Sequence, residues 1–177
     1  MRNKYLLAAV MAASFFLTSP SKAETILLGF GSGALTTDAK LLSLQITSHT
    51  GLLSKQLDPL GFRAHIEWSV FGLRGQGSNS NDVAVIGVSP VLRYAVTADL
   101  PFIEAGLGAY HFSKHMLNQN DGVGTSFEFG SFAGFGAIVG THQNVEIGYR
   151  FLHFSNAGMS SFNPGVNFHQ VRLGYRF

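Results

Sequence analysis

From Glu24 to Phe177 apolar and polar residues alternate with a period of two, the period of a strand with one face apolar. Leu42, Leu44 and Ile46 oppose Ser43, Gln45, Thr47 and His49, and Phe62, Ala64, Ile66, Trp68 and Val70 oppose Arg63, His65, Glu67 and Ser69. Ile86, Val88, Leu92 and Tyr94 oppose Ser89 and Arg93, while Ile103, Ala105 and Leu107 oppose Glu104 and Gly106. No convincing helical period interrupts this pattern. Eight strands are predicted, at about 25–32, 40–49, 62–74, 82–95, 101–112, 125–139, 143–155 and 167–177.

Such alternation suits a soluble sandwich or lipocalin-type barrel with its apolar faces inside, or a membrane barrel with those faces outside. Three features favour the membrane barrel. The apolar faces end in aromatics, Phe62, Tyr94, Tyr149, Tyr175 and Phe177, as in the girdles at a membrane interface. The opposite faces carry Arg63, Arg93, Arg150, Arg172 and Arg176 with Glu67, Glu104, Glu128 and Glu146, a nearly balanced set suited to ion pairing in a narrow lumen. The chain also ends in a strand with Val171, Leu173, Tyr175 and Phe177 at alternate positions, like the last strand of outer-membrane barrels. The expected fold is all-β, an eight-stranded antiparallel up-and-down transmembrane β-barrel with no pore, because eight strands enclose only enough room for side chains.

Residues 1–23 read as an export signal: Arg2 and Lys4, an apolar run from Tyr5 to Leu17, then Ser21-Lys22-Ala23 as a small-x-small cleavage site. A single domain over 24–177 is expected. The full chain has 12 Lys and Arg against 10 Asp and Glu, and three of the basic residues lie in the signal, so the mature charge is about −1. Nucleic acid is therefore not an expected partner. Cysteine is absent, which excludes disulfides and thiolate metal sites. His111 and His115 stand four apart, but 113–124 reads as loop rather than helix, so no metal site is expected from spacing. The Gly29–Gly33 and Gly130–Gly140 runs lack the strand-loop-helix setting of a phosphate cradle. Connections at 75–81, 113–124 and 156–166 are longer than those around 97–99 and 140–144, as external loops and periplasmic turns should be; 51–60 is the exception.

Polar residues continue two apolar faces near the C-terminus. Parity from Val145, Ile147, Tyr149 and Phe151 carries on to His153 and Ser155; parity from Phe177 back to Val171 carries on to His169 and Asn167. Asn163-Pro164-Gly165 suits a tight turn that brings Asn167 beside the preceding strand. A Ser, a His and an orienting carboxamide are the parts of an activated nucleophile, although polar residues are also ordinary where a strand leaves a membrane.

The run His153-Phe154-Ser155-Asn156-Ala157-Gly158, followed by Asn163-Pro164-Gly165 and a terminal strand, resembles the signature of the PagL-type lipid A 3-O-deacylases. The resemblance implies a bacterial outer-membrane barrel that meets lipid A, or lipopolysaccharide, in the outer leaflet. It implies ester hydrolysis without a cofactor, with Ser155 as nucleophile, His153 as base, and Asn156, Gly158 and Asn163 on the oxyanion side. The family pattern places a Glu twelve residues after the Ser, where this chain has Asn167. A weakened homologue and a non-enzymatic structural or adhesive barrel remain the alternatives.

Overall fold

A computed structural model describes residues 23–50, 54–95 and 101–177. The export-signal reading, apart from Ala23, and the turn at 97–99 lie outside the described residues. Eight strands follow one another: β1 (Ala23–Gly33), β2 (Ala39–His49), β3 (Phe62–Gly75), β4 (Asp82–Ala95), β5 (Phe102–Phe112), β6 (Phe127–Val139), β7 (Val145–Ser155) and β8 (Val166–Arg176). Each pairs antiparallel with its neighbours in sequence, and β1 pairs with β8 to close the barrel. Closure leaves no edge strand and satisfies the backbone between strands, the condition for spanning a bilayer with β-structure. Among the described residues helix is confined to α1 (Ser54–Leu57) and a 3-10 turn (Asp58–Leu60), both in the long connection between β2 and β3. Among the described residues no helix is long and apolar enough to cross a membrane, which leaves strands free to do so.

The two faces are disposed as in a membrane barrel. Ile103 is 61% exposed and its neighbour Glu104 is 4% exposed; Leu173 is 55% exposed and Arg172 is fully buried. Phe30, Leu42, Ile86, Leu107, Phe135 and Val171 continue the exposed apolar surface. A soluble barrel would reverse these positions. Aromatic pairs gather on the same exterior, Phe62 with Tyr94 at 4.9 Å between centroids, and Phe135 with Tyr149 and Tyr175 with Phe177 at 5.3 Å each.

Three arginines and three glutamates lock the middle of the lumen. Arg150 grips Glu67 with two parallel bonds of 2.7 and 2.8 Å and reaches Glu104 at 2.6 Å. Arg172 bonds Glu104 and approaches Glu67, and Arg93 bonds Glu146 at 2.9 and 2.8 Å and Glu104 at 2.9 Å. Arg150 also lies over the Phe132 ring and Arg93 over Phe102. A buried charge is tolerated only when paired and hydrogen-bonded, and here three positive charges meet three negative ones.

Arg63, Arg176 and Glu128 stand apart from this network. Arg63 and Arg176 line the mouth at the end where β1 begins and β8 finishes, while buried Glu128 accepts hydrogen bonds from the Thr125 backbone and hydroxyl near the other, distal end. The distal half of the lumen is apolar, contrary to simple alternation. Phe71, Tyr110, Phe112, Leu152, Phe154, Val166 and Phe168 point inward there. Leu117 and Val123 of the β5–β6 loop fold down onto them and cap the barrel. In these upper strand segments both faces are apolar, one against lipid and one against the cap. Tyr110 fits because Gly87 and Gly130 sit beneath its ring, where any Cβ would collide with it. Packing, rather than a phosphate cradle, accounts for these glycines.

Candidate active site on the outer face of the barrel

The β7–β8 hairpin builds the site as parity predicts. His153, Ser155, Asn167 and His169 all lie on the outer face, while Leu152, Phe154, Val166 and Phe168 between them are buried in the distal core. That core fixes the backbone, so the polar side chains stand on a rigid surface. His153 and Asn167 are direct cross-strand partners. His153 Nδ1 lies 2.9 Å from Asn167 Oδ1. With the carboxamide oxygen facing the ring, the bond is satisfied by the tautomer that carries its proton on Nδ1, which leaves Nε2 as a base.

Asn167 is held from the other side as well. Its N–H donates to Thr37 Oγ1 at 2.9 Å and its carbonyl accepts from the Ala34 N–H at 2.9 Å, so the β1–β2 loop clamps its backbone. Ser155, two residues from His153 on the same face, makes no side-chain hydrogen bond among the described residues. Same-face neighbours in a strand are about 6.5–7 Å apart at Cα, a span the two side chains can close by rotation.

The β7–β8 loop is ordered by its asparagines. The Asn156 N–H donates to Asn163 Oδ1 at 3.0 Å, Asn156 Nδ2 donates to the Phe162 carbonyl at 3.0 Å, and Asn156 Oδ1 accepts from the Gly158 N–H at 3.0 Å. Asn156 itself is fully buried. Met159 N–H closes a turn onto the Asn156 carbonyl, with Ala157 at φ +52° and Gly158 at φ +81°. The backbone N–H groups of Asn156 and Gly158 are thus committed within the loop, and the Asn163 carboxamide NH2 is one donor left without a partner among the described residues.

His169 turns away from His153: its Nδ1 is 2.5 Å from Tyr149 Oη, and its ring packs on Tyr149 and Phe151. Three further residues shape this surface, and of them only Gly165 stands out in the sequence, as part of a turn. Thr37 is one. Ser131 of β6 is another, an exposed hydroxyl directly across from His153 on the side opposite Asn167. The third is Gly165, at φ +67°, where an added Cβ would come within 2.9 Å of His153 Cε1. The Asn-Pro-Gly turn signal points to Gly165, but nothing local to Thr37 or Ser131 announces a partner 130 positions away in Asn167 or 22 away in His153.

The sequence profile of the family described as lipid A 3-O-deacylase (PagL) matches residues 42–176, which include the whole hairpin. The chain belongs to the PagL family. Among its relatives, the lipid A deacylase PagL of Bordetella bronchiseptica is 40% identical over 81 residues, covering 46% of this chain and 44% of that protein. PagL of Pseudomonas aeruginosa is 34% identical over 97 residues, 54% of this chain and 51% of that one. The chain therefore spans about half the length of the curated relatives it matches. A crystal structure of the outer-membrane enzyme PagL superimposes with a TM-score of 0.66 at 21% identity, over 86% of this chain and 99% of that one. That likeness establishes the fold, a closed eight-stranded antiparallel barrel. Against the PagL pattern the departure stays at Asn167: a carboxamide occupies the place beside His153 where the family motif puts a carboxylate.

Proposed function

We propose that this protein is an outer-membrane esterase that removes the 3-O-linked acyl chain of lipid A. Ser155 is the nucleophile, His153 the base and Asn167 the group that orients it. The observation that carries the reading is the 2.9 Å contact between His153 Nδ1 and Asn167 Oδ1 on the lipid-facing exterior. A surface carboxamide clamped by a second loop and aimed at a histidine ring, beside a serine on the same face, is what acyl transfer by general base catalysis calls for.

In this mechanism Ser155 Oγ attacks the ester carbonyl while His153 Nε2 takes its proton. The proton then passes to the departing sugar oxygen, and water repeats the sequence on the acyl-serine. The Asn163 NH2 supplies one hydrogen bond to the oxyanion, and Asn156 and Gly158 shape the loop that presents it. No step calls for a cofactor. The outward placement matches the substrate, since an ester near the headgroup boundary of the same leaflet reaches the barrel laterally.

The test is mass spectrometry of lipid A from cells that express the protein, its Ser155→Ala variant, or its Ser131→Ala variant. Loss of one 3-linked hydroxyacyl chain is expected with the parent and with Ser131→Ala, and intact lipid A with Ser155→Ala. Intact lipid A in all three would favour a non-enzymatic barrel or a weakened homologue. Loss with Ser155→Ala but not with Ser131→Ala would move the nucleophile to β6.

A further inference from the structure

At the opposite end of the barrel from Ser155, Glu24 of β1, His49 of β2 and His65 of β3 converge at the mouth of a cavity of about 400 Å³. One donor atom from each lies within 4.8 Å of the others. Parity brings in the two histidines, since His49 and His65 are cross-strand partners on the lumenal face with Thr47 and Glu67. Glu24 arrives by a different route. By alternation with buried Thr25 it would face outward, but the β1–β2 register shifts between Ala23 and Thr25, and this irregularity turns its carboxylate toward His65. Bulges are a means of re-aiming a side chain in this way.

His65 shows that the cluster is not a finished hydrogen-bond network. It is 8% exposed, and neither ring nitrogen has a hydrogen-bond partner. Its Nδ1 does lie 3.3 Å from Glu24 Oε2, close enough for an ion pair but without hydrogen-bond alignment. Two ligands of one tetrahedral zinc, each about 2.0–2.2 Å from the ion, stand about 3.4 Å apart. The Glu24–His65 pair is already at that spacing, and His49, exposed at the rim, needs only a side-chain rotation to join it.

The geometry points to a site for a divalent transition metal of the zinc type, held by His49, His65 and Glu24 with a fourth position open to water. Two imidazoles and a carboxylate suit such a borderline ion better than magnesium or calcium, which prefer all-oxygen shells. Arg63 and Arg176 line the same mouth and oppose a cation; Asp58 offsets one of them. A metal there ties β1, β2 and β3 together at the start of β1. The site stands apart from the proposed hydrolysis and holds whether or not Ser155 is a nucleophile.

The experiment uses the full mature chain, refolded in detergent without a polyhistidine tag, stripped with a chelator and titrated with Zn2+ against a chromophoric competitor. One Zn2+ per barrel is expected, with a rise in melting temperature. His65→Gln disturbs a buried residue, so exposed His49→Gln and half-buried Glu24→Gln carry the test. Each should weaken binding at least ~10-fold, since even groups that only support metal ligands cost that much, and each should remove the rise in melting temperature. His111→Gln/His115→Gln should bind as the parent does. Failure of the parent to bind, or unchanged binding in both His49→Gln and Glu24→Gln, overturns the assignment.

Discussion

Arg150 and His153 stand three residues apart on β7 and face opposite worlds. Arg150 points into the lumen, where three arginines and three glutamates neutralise one another at 0–12% side-chain exposure. His153 points outward, where its hydrogen-bond partner, Asn167, is neutral. Inside, charge has no water and must be paired; outside, near the headgroups, polar groups have water and lipid to lean on. The lumen should therefore govern whether the barrel folds, and the exterior what it does. Each prediction below tries to break that division.

The largest effect expected is on activity alone. Ser155→Ala and His153→Ala should each reduce hydrolysis at least ~10⁴-fold, because the members of a nucleophile-base pair act as a unit. The unfolding midpoint should stay within about 0.5 kcal/mol of the parent, as both side chains lie on the outer surface. A large loss of stability in either variant would show that the site is part of the scaffold.

Next comes the reverse case. Arg150→Ala strips Glu67 of its bidentate partner and Glu104 of a second, leaving buried carboxylates short of countercharge. The cost should be about 3–5 kcal/mol, read as a shift in urea midpoint or as failure to show the mobility of an unboiled folded barrel on gels. Deacylation by whatever fraction folds should be near normal.

The same division explains what could be read from the chain. Where lipid lies outside and an ion pair inside, as at Ile66-Glu67-Trp68 and Ile103-Glu104-Ala105, alternation gives both the strand and its orientation. It falls silent at Leu152, Phe154, Val166 and Phe168, where the cap from the β5–β6 loop makes the inner face apolar too. The shared outer face of His153, Ser155 and Asn167 was legible because the three share parity within one turn of chain. The commitment of the Asn156 and Gly158 N–H groups was not, because it depends on which way asparagine side chains fold within a loop. Nor was the Glu24–His49–His65 cluster: its members come from three strands, and a register shift alters the parity of one of them.

Asn167 tests whether charge can be moved across the boundary. A carboxylate here would steady the imidazolium that forms in the transition state and would rule out the flipped carboxamide, whose NH2 favours the wrong tautomer. Asn167→Glu should raise kcat, by about 10- to 100-fold if charge and tautomer both limit the parent. Asn167→Ala should lower it by about 10-fold. The measurement is the initial rate on detergent-dispersed lipid A for the three proteins side by side. If the Ala variant matches the parent and Glu brings no gain, Asn167 does not orient His153.

The smallest effect sits at Gly165, where scaffold and site share a residue. Its φ of +67° lies in the left-handed region, and a Cβ there would stand 2.9 Å from His153 Cε1. Gly165→Ala thus carries two costs: about 1–2 kcal/mol of backbone strain, and a ring that must shift by a few tenths of an ångström. The strain should lower the unfolding midpoint by that amount. The shift should loosen the bond to Asn167 and lower kcat about 3- to 10-fold with little change in KM, since the β7–β8 loop is held separately by Asn156 and Asn163. Strain and misalignment can be separated by combining Gly165→Ala with Asn167→Ala. If Gly165 acts through the His153–Asn167 contact, Asn167→Ala should cost less activity in the Gly165→Ala background than in the parent, while the loss of stability stays additive. Additive losses in activity would mean that Gly165 serves the turn alone.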